Sequence, residues 1–367
     1  MFTSLRGSGP RRLVLAIAAS SLAACGEDDE PATEVTPETT AETTAETTAE
    51  TTAETTAETT ETTPETVDPA AQVERGRYLV ENVAGCPDCH TARTAEGGFD
   101  TSKKLAGIDC FVDIDPANPD FGCIATANLT NHATGLMNRT DAQVKAMFMT
   151  GVRPDGRFLH GLMPYWVFGN MADADADAIV AYLRSTTGID HTVAASQGPW
   201  SPVAAAAPVV DIDAVPMPRA DYPDQEAAMR GRYLAANVGP CLDCHTQAPA
   251  PGTSTEPRIW AKAFQGGEAF NRDAFGLPPF LPENVYSMNL TPHASGLAGW
   301  TVADVKKAIK EGVSKDGTLV CPPMPSGPMG AFGGMSDADA EDIAHFIVSL
   351  EPKENVLPNF CGIPAQQ

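Results

Sequence analysis

The pentad Arg75-Gly76-Arg77-Tyr78-Leu79 returns 155 positions later as Arg230-Gly231-Arg232-Tyr233-Leu234. The same offset carries Asn82-Val83 onto Asn237-Val238 and Cys86-Pro87-Asp88-Cys89-His90 onto Cys241-Leu242-Asp243-Cys244-His245. Further along, Asn128-Leu129-Thr130 returns as Asn289-Leu290-Thr291, and Met163-Pro164 as Met324-Pro325, now at an offset of 161. Agreement in both order and spacing is an internal duplication. A period this long implies tandem domains rather than a solenoid of small repeats.

Each copy carries the same plan. A helix is expected around 71–84 and around 226–237, running into the cysteine motif. A long stretch dense in Gly, Pro, Asn and Asp follows, with no convincing strand. A second helix should start at Thr140, with Gln143 three residues on as a capping box, and stop near Gly151; its counterpart starts at Thr301, carries Asp304 and stops at Gly312. A last helix opens at Asp173 or Asp337, where an acid suits the positive helix end, and runs to Ser185 or Ser349. The expected fold class is mostly α, with two domains at 71–188 and 225–362. Between them lies a Pro- and Ala-rich linker at 189–224, whose Trp200 and Val209-Val210 could pack on both.

Cys-x-x-Cys-His carries the chemistry. Two thiols one helical turn apart suit thioether bonds to the two vinyl groups of haem, and the histidine that follows falls beneath the iron. Cys86, Cys89 and His90 would hold one haem c, and Cys241, Cys244 and His245 a second. A zinc site or a thioredoxin-like disulfide would use similar cysteines, but neither accounts for the paired Met-Pro loops downstream. For the sixth iron ligand, Met163 and Met324 occupy equivalent loops, and the proline after each fixes the backbone. His132 and His293 are also equivalent, so bis-histidine ligation is the rival, and His160 has no counterpart. Met329 is a further candidate in the second copy, and Met171 and Met335 precede the last helices and read as packing. A thioether ligand favours reduced iron and fills the coordination position that peroxide or oxygen chemistry needs. Asp88 and Asp243, inside the motifs, read as solvated loop acids. No Ser-His-Asp array, phosphate loop or dinucleotide fingerprint is present.

With these residues both copies resemble class I cytochrome c domains, and the pair resembles dihaem cytochromes c, among them cytochrome subunits of membrane-associated dehydrogenases. The resemblance covers 72–187 and 227–352. It rests on the stretch from Asn289 to Gly296, Trp300-Thr301, Asp316-Gly317, Met324-Pro325 and Met335 onward. In the first copy the matching residues are Asn128 to Thr130, Gly135, Asp155 to Arg157, Met163 to Tyr165 and Ala181 to Arg184. It implies electron transfer without catalysis, with redox proteins as partners: a dehydrogenase as donor and an oxidase or another cytochrome as acceptor. A dihaem peroxidase and a surface redox sensor are the alternatives. Arg139 stands where the second copy has Trp300, so two unequal haem pockets are expected.

Nine cysteines leave four after Cys25 and the two haem motifs: Cys110, Cys123, Cys321 and Cys361. An even remainder in an exported chain suggests two disulfides. Cys110–Cys123 and Cys321–Cys361 are the expected pairs, with cross-pairing or free thiols open.

The start reads as an export signal over 1–24. Arg6, Arg11 and Arg12 precede the apolar run Leu13–Ala19, which is too short to span a bilayer. Leu22-Ala23-Ala24-Cys25-Gly26 resembles the lipobox of bacterial lipoproteins, which implies a lipid on Cys25 and favours the outer membrane. From 25 to 70 the Ala-Glu-Thr-Thr tetrad has no apolar face and is expected to form a disordered tether. Fourteen acids between Glu27 and Asp68, with no Lys or Arg among them, supply more than half of the formal charge of -24. The remainder of the chain is therefore only moderately acidic and carries no basic patch for nucleic acid.

Overall fold

The computed structural model describes residues 68–94, 97–113, 115, 117–118, 122–196, 208–248, 260–358 and 363–364. The expected signal, Cys25, most of the tether, Trp200 and Cys361 lie outside the described residues. From Pro64 onward the chain forms one compact unit.

The first helix, α1, spans Pro69–Tyr78. Proline suits the first turn of a helix because its missing N–H would have no partner there, and the Asp68 carboxylate accepts the Ala70 N–H at 3.0 Å. The helix therefore begins at Pro69, just inside the limit of 70 read for the tether. The expected continuous helix to 84 instead widens into a π-helical turn over Leu79–Val83, followed by α2 at Cys86–His90. A two-stranded antiparallel hairpin follows, β1 (Ile108–Asp113) with β2 (Cys123–Thr126). Then come α3 (Asp141–Thr150), the short α4 (Tyr165–Phe168) and α5 (Asp173–Ser185). The second copy repeats the order. It has α6 (Gln225–Tyr233), a π-turn over Leu234–Val238, α7 (Cys241–Cys244), the pair β3 (Ala269–Asn271) and β4 (Asn284–Tyr286), α8 (Val302–Glu311) and α9 (Asp337–Ser349). A third small pair joins β5 (Thr318–Leu319) to β6 (Ile363–Pro364).

These strands correct the expectation of none. Each is two to six residues long, too short to show an alternating pattern, and each depends on a partner met only in the fold. The helix limits agree with the sequence wherever a cap was legible. Thr140 with Gln143, and Thr301 with Asp304, form complete capping boxes, and Gly151 and Gly312 close the helices at φ 71° and 68°.

In each half the first and last helices cross at a glycine. A Cβ on Gly76 would stand 1.8 Å from the Ala178 carbonyl oxygen, and one on Gly231 would stand 1.8 Å from that of Asp342. Only glycine lets the backbones meet so closely, which explains the repeated Arg-Gly-Arg-Tyr-Leu. Beside the crossing, Arg75 pairs with Asp175 at 2.8 Å and Arg230 with Asp342 at 2.7 Å.

The halves share one core, and their seam is reciprocal. The Tyr78 hydroxyl of the first half donates to Asp339 of the second, while Tyr233 of the second donates to Asp175 of the first at 2.7 Å. Each hydroxyl also accepts a backbone N–H at the mouth of the opposite last helix, from Ser336 at 3.1 Å and from Ala172 at 3.2 Å. The linker packs on both halves. Val210 is buried, with its N–H on the Trp166 carbonyl at 3.0 Å. Arg232 donates to the Ile212, Val215 and Pro216 carbonyls, and the Arg219 N–H reaches Ser349 at 2.9 Å.

Candidate haem sites

Cys86 and Cys89 lie on α2, and Cys241 and Cys244 bound α7. Among the described cysteines these four lie outside any disulfide, whereas Cys110–Cys123 is a disulfide spanning 13 residues and Cys321 is disulfide-bonded. One helical turn holds the two thiols of each motif on a short helix, and burial pushes the Cys86, Cys89 and Cys241 thiols up to about 12, so they remain protonated.

His90 and His245 are 8% and 7% exposed. His90 Nδ1–H donates to the Ala127 carbonyl at 2.8 Å, and His245 Nδ1–H to the Met288 carbonyl at 2.8 Å. Burial lowers the pKa of both rings, against the smaller opposing effect of these carbonyls. Each imidazole is thus neutral, with Nδ1 committed and the Nε2 lone pair left for an iron. A backbone partner on the far nitrogen is the usual way to orient a metal-bound histidine.

The repeated Asn-Leu-Thr positions those carbonyls. Asn128 Oδ1 accepts the Thr130 N–H and hydroxyl at 2.9 and 2.7 Å, and its Nδ2 donates to the Ile189 carbonyl at 2.9 Å. Asn289 repeats this on Thr291 at 3.0 and 2.9 Å and on Lys353 at 2.8 Å. Each knot locks the backbone just after the carbonyl that the histidine needs. The sequence signal was present as a repeat, but its role was not legible.

Two further residues were missed. Leu105 and Phe264 are almost fully buried, and both hold φ near +60°, which L-residues rarely adopt. The Thr91 hydroxyl accepts the Leu105 N–H at 3.0 Å, and the Thr246 hydroxyl accepts that of Phe264 at 3.3 Å. Their carbonyls accept the Leu129 and Leu290 N–H groups at 2.8 Å. Equivalent strain at equivalent places, one loop beyond each histidine, marks a constrained wall beside each site.

Met163 and Met324 are partly buried against the core in matching loops. The Met163 N–H donates to the His160 carbonyl at 3.0 Å, and the Met324 N–H to the Cys321 carbonyl at 3.1 Å. His132 and His293 turn their Nδ1 atoms into their own loops. Nδ1 of His132 accepts from the Thr134 hydroxyl and N–H at 2.9 and 3.2 Å, and that of His293 from Ser295 at 2.9 and 3.1 Å. Met171 and Met335 are core residues, 5% and 3% exposed. Trp300 packs against the core from a partly buried position, whereas Arg139 is exposed.

Asp88 differs from the expected solvated acid. Its side chain is only 14% exposed, pairs with Arg93 at 2.7 Å and accepts the Ala331 N–H of the second half at 3.2 Å. Burial outweighs Arg93 and lifts its pKa to about 6. The motif sits at the seam, a placement no local pattern announces. Asp243 is half-buried.

No protein-family model matches the chain. It is 28% identical over 298 residues to one of the subunits of nicotinate dehydrogenase from Pseudomonas putida, covering 78% of this chain and 22% of that protein. It is 24% identical to the cytochrome c subunit of the quinone alcohol dehydrogenase of Gluconobacter oxydans, covering 75% of this chain and 52% of the relative. A diheme cytochrome c-type protein of Cereibacter sphaeroides is 30% identical over 34% of this chain and 38% of its own length. The chain thus spans from about a fifth to about half of the first two relatives. No helix among the described residues is long and apolar enough to cross a membrane. The relatives include cytochrome subunits of dehydrogenases and a diheme cytochrome c-type protein.

Proposed function

We propose that this chain carries two haem c groups and passes electrons from a dehydrogenase catalytic subunit to a further cytochrome or an oxidase, without catalysing a reaction of its own. The observation that carries the reading is the pair of reduced thiols beside a buried histidine whose Nδ1 is tied to a backbone carbonyl, present in both halves. Names of relatives that are cytochrome subunits of alcohol, fructose and gluconate dehydrogenases support the choice of partner.

Haem, when bound, supplies a one-electron iron couple. Cys86, Cys89, Cys241 and Cys244 would hold it covalently, and His90 with Met163 and His245 with Met324 would coordinate its iron, a thioether partner being one that favours the reduced state. The Ala127 and Met288 carbonyls would keep the imidazoles oriented toward it. Arg139 against Trp300 supports two unequal potentials, and hence a direction of flow. The haem domains are proposed as 71–188 and 225–362, behind an exported and lipid-anchored N-terminus with the lipid on Cys25. A Cys321–Cys361 disulfide is proposed as the clamp beside the Met324 loop; β5 and β6 pair Leu319 with Ile363 next to it.

The test is the holoprotein matured with haem. Two haems per chain by the pyridine haemochrome assay are expected, together with the Met–iron charge-transfer band at the red end of the visible spectrum. Met163→Ala and Met324→Ala should each remove about half of that band. A single haem, no such band, or carbon monoxide binding to the native protein refutes the reading.

A further inference from the structure

The two methionine loops are equivalent in sequence but are held by different devices. In the second half the loop begins at Cys321, which is disulfide-bonded. The first half has His160 at that place and no cysteine in the loop. What packs on it is a small apolar cluster separate from the main core. Val112 of β1, Ile124 of β2 and Ala274 are its buried members, and Phe111, Phe275 and Leu162 pack against them. Leu162 immediately precedes Met163.

The cluster is built from both halves. The β1–β2 hairpin belongs to the first and is closed by Cys110–Cys123. Ala274 and Phe275 belong to the second and follow β3. The Asp113 N–H donates to the Ala274 carbonyl at 3.1 Å, joining the hairpin to this turn. The Phe275 ring meets Phe111 edge-on, with centroids 6.4 Å apart, and Phe270 of β3 at 5.5 Å. At the position of Leu162 the second half has Pro323.

We propose that this cluster is a clamp in which the second half holds the first half's Met163 loop closed, with Phe275, Phe111 and Leu162 as positioning residues. The inference rests on Met163 being an axial ligand. An apolar side chain one residue before the ligand, gripped by a disulfide-closed hairpin, limits how far the loop can swing. The clamp therefore sets how often the iron beneath the first loop becomes open to an external ligand, and it ties that property to the second half. The second loop, anchored at Cys321, does not depend on it.

The experiment uses the haem-loaded full chain in two backgrounds. Met324→Ala leaves the first site's Met–iron band alone, and Met163→Ala leaves the second's. Phe275→Ala in the Met324→Ala background should weaken the remaining band and raise imidazole affinity by about tenfold, since apparent affinity scales with the open fraction. In the Met163→Ala background it should change neither. Phe275→Leu, which keeps the apolar bulk, should restore the first site's band, and Leu162→Ala should reproduce its loss. Haem content measured alongside separates loosening from misfolding. Equal effects in both backgrounds, or none in either with both haems attached, overturn the clamp. A full band in Met163→Ala alone overturns the ligand reading instead.

Discussion

Replacing Gly76 with alanine should open the crossing of α1 on α5. The added methyl would stand 1.8 Å from the Ala178 oxygen, 2.4 Å from its carbon and 2.9 Å from Tyr182 Cβ, while side-chain carbons do not approach backbone closer than 3.0 Å. The obstacle is backbone on a packed helix, so the helices must part by at least about 1.2 Å, judged from those two distances. A gap of that size forfeits roughly a quarter to a half of the contact energy of the atoms facing it. Leu79, Val80 and Val83 on one side and Ile179, Val180 and Leu183 on the other are all buried there. At about 1.5–3 kcal/mol per buried side chain, a quarter of their contribution is about 3 kcal/mol. Against this, alanine is a better helix former than glycine by about 1 kcal/mol. The net effect is a loss of about 2 kcal/mol, or a fall in melting temperature of roughly 3 °C for a unit of this size. Thermal unfolding of the haem-loaded protein followed by circular dichroism reads it. The sign decides: an unchanged or raised melting temperature, as at an ordinary helix-interior glycine, refutes the close crossing.

Removing the hairpin disulfide by Cys110→Ser with Cys123→Ser should cost about 2–3 kcal/mol, as expected for a loop of 13 residues, and chemical denaturation measures it. Tyr78→Phe with Tyr233→Phe removes both reciprocal bonds of the seam; faster amide exchange at the starts of α5 and α9 is expected, with the interior of α3 unchanged. Hydroxyls of Ser314 and Thr318 hold the Asp316 carboxyl at about 2, below its ordinary 3.8. A depressed carboxyl stabilises the fold above its unfolded value, and that support is lost as pH falls from about 4 through about 2. Asp316→Asn should flatten the acid limb of stability in that window, and an unchanged limb would remove the assignment.

Several elements could be read from the chain because their causes are local. Thr140 with Gln143, Thr301 with Asp304 and the glycines at 151 and 312 begin and end helices through bonds reaching only three or four residues. The histidine after each cysteine pair is likewise set by one helical turn. The carbonyls of Ala127 and Met288, by contrast, come from 37 and 43 residues downstream of the histidines they orient. The π-turns after Tyr78 and Tyr233 carry no composition that separates them from a continued helix.

The sequence by itself determined a duplicated, mostly helical chain with two cysteine–histidine motifs, because repetition and short-range capping are written in neighbouring residues. Only the tertiary structure decided that Asp88 is buried at the seam rather than solvated, since its surroundings come from Ala331, 243 residues away. It also decided that short strand pairs form, that the halves exchange tyrosine–aspartate bonds, and that Phe275 of the second half and Leu162 of the first pack on one small apolar cluster. Those features depend on which distant surfaces meet, and burial and partner choice are properties of that meeting rather than of any segment.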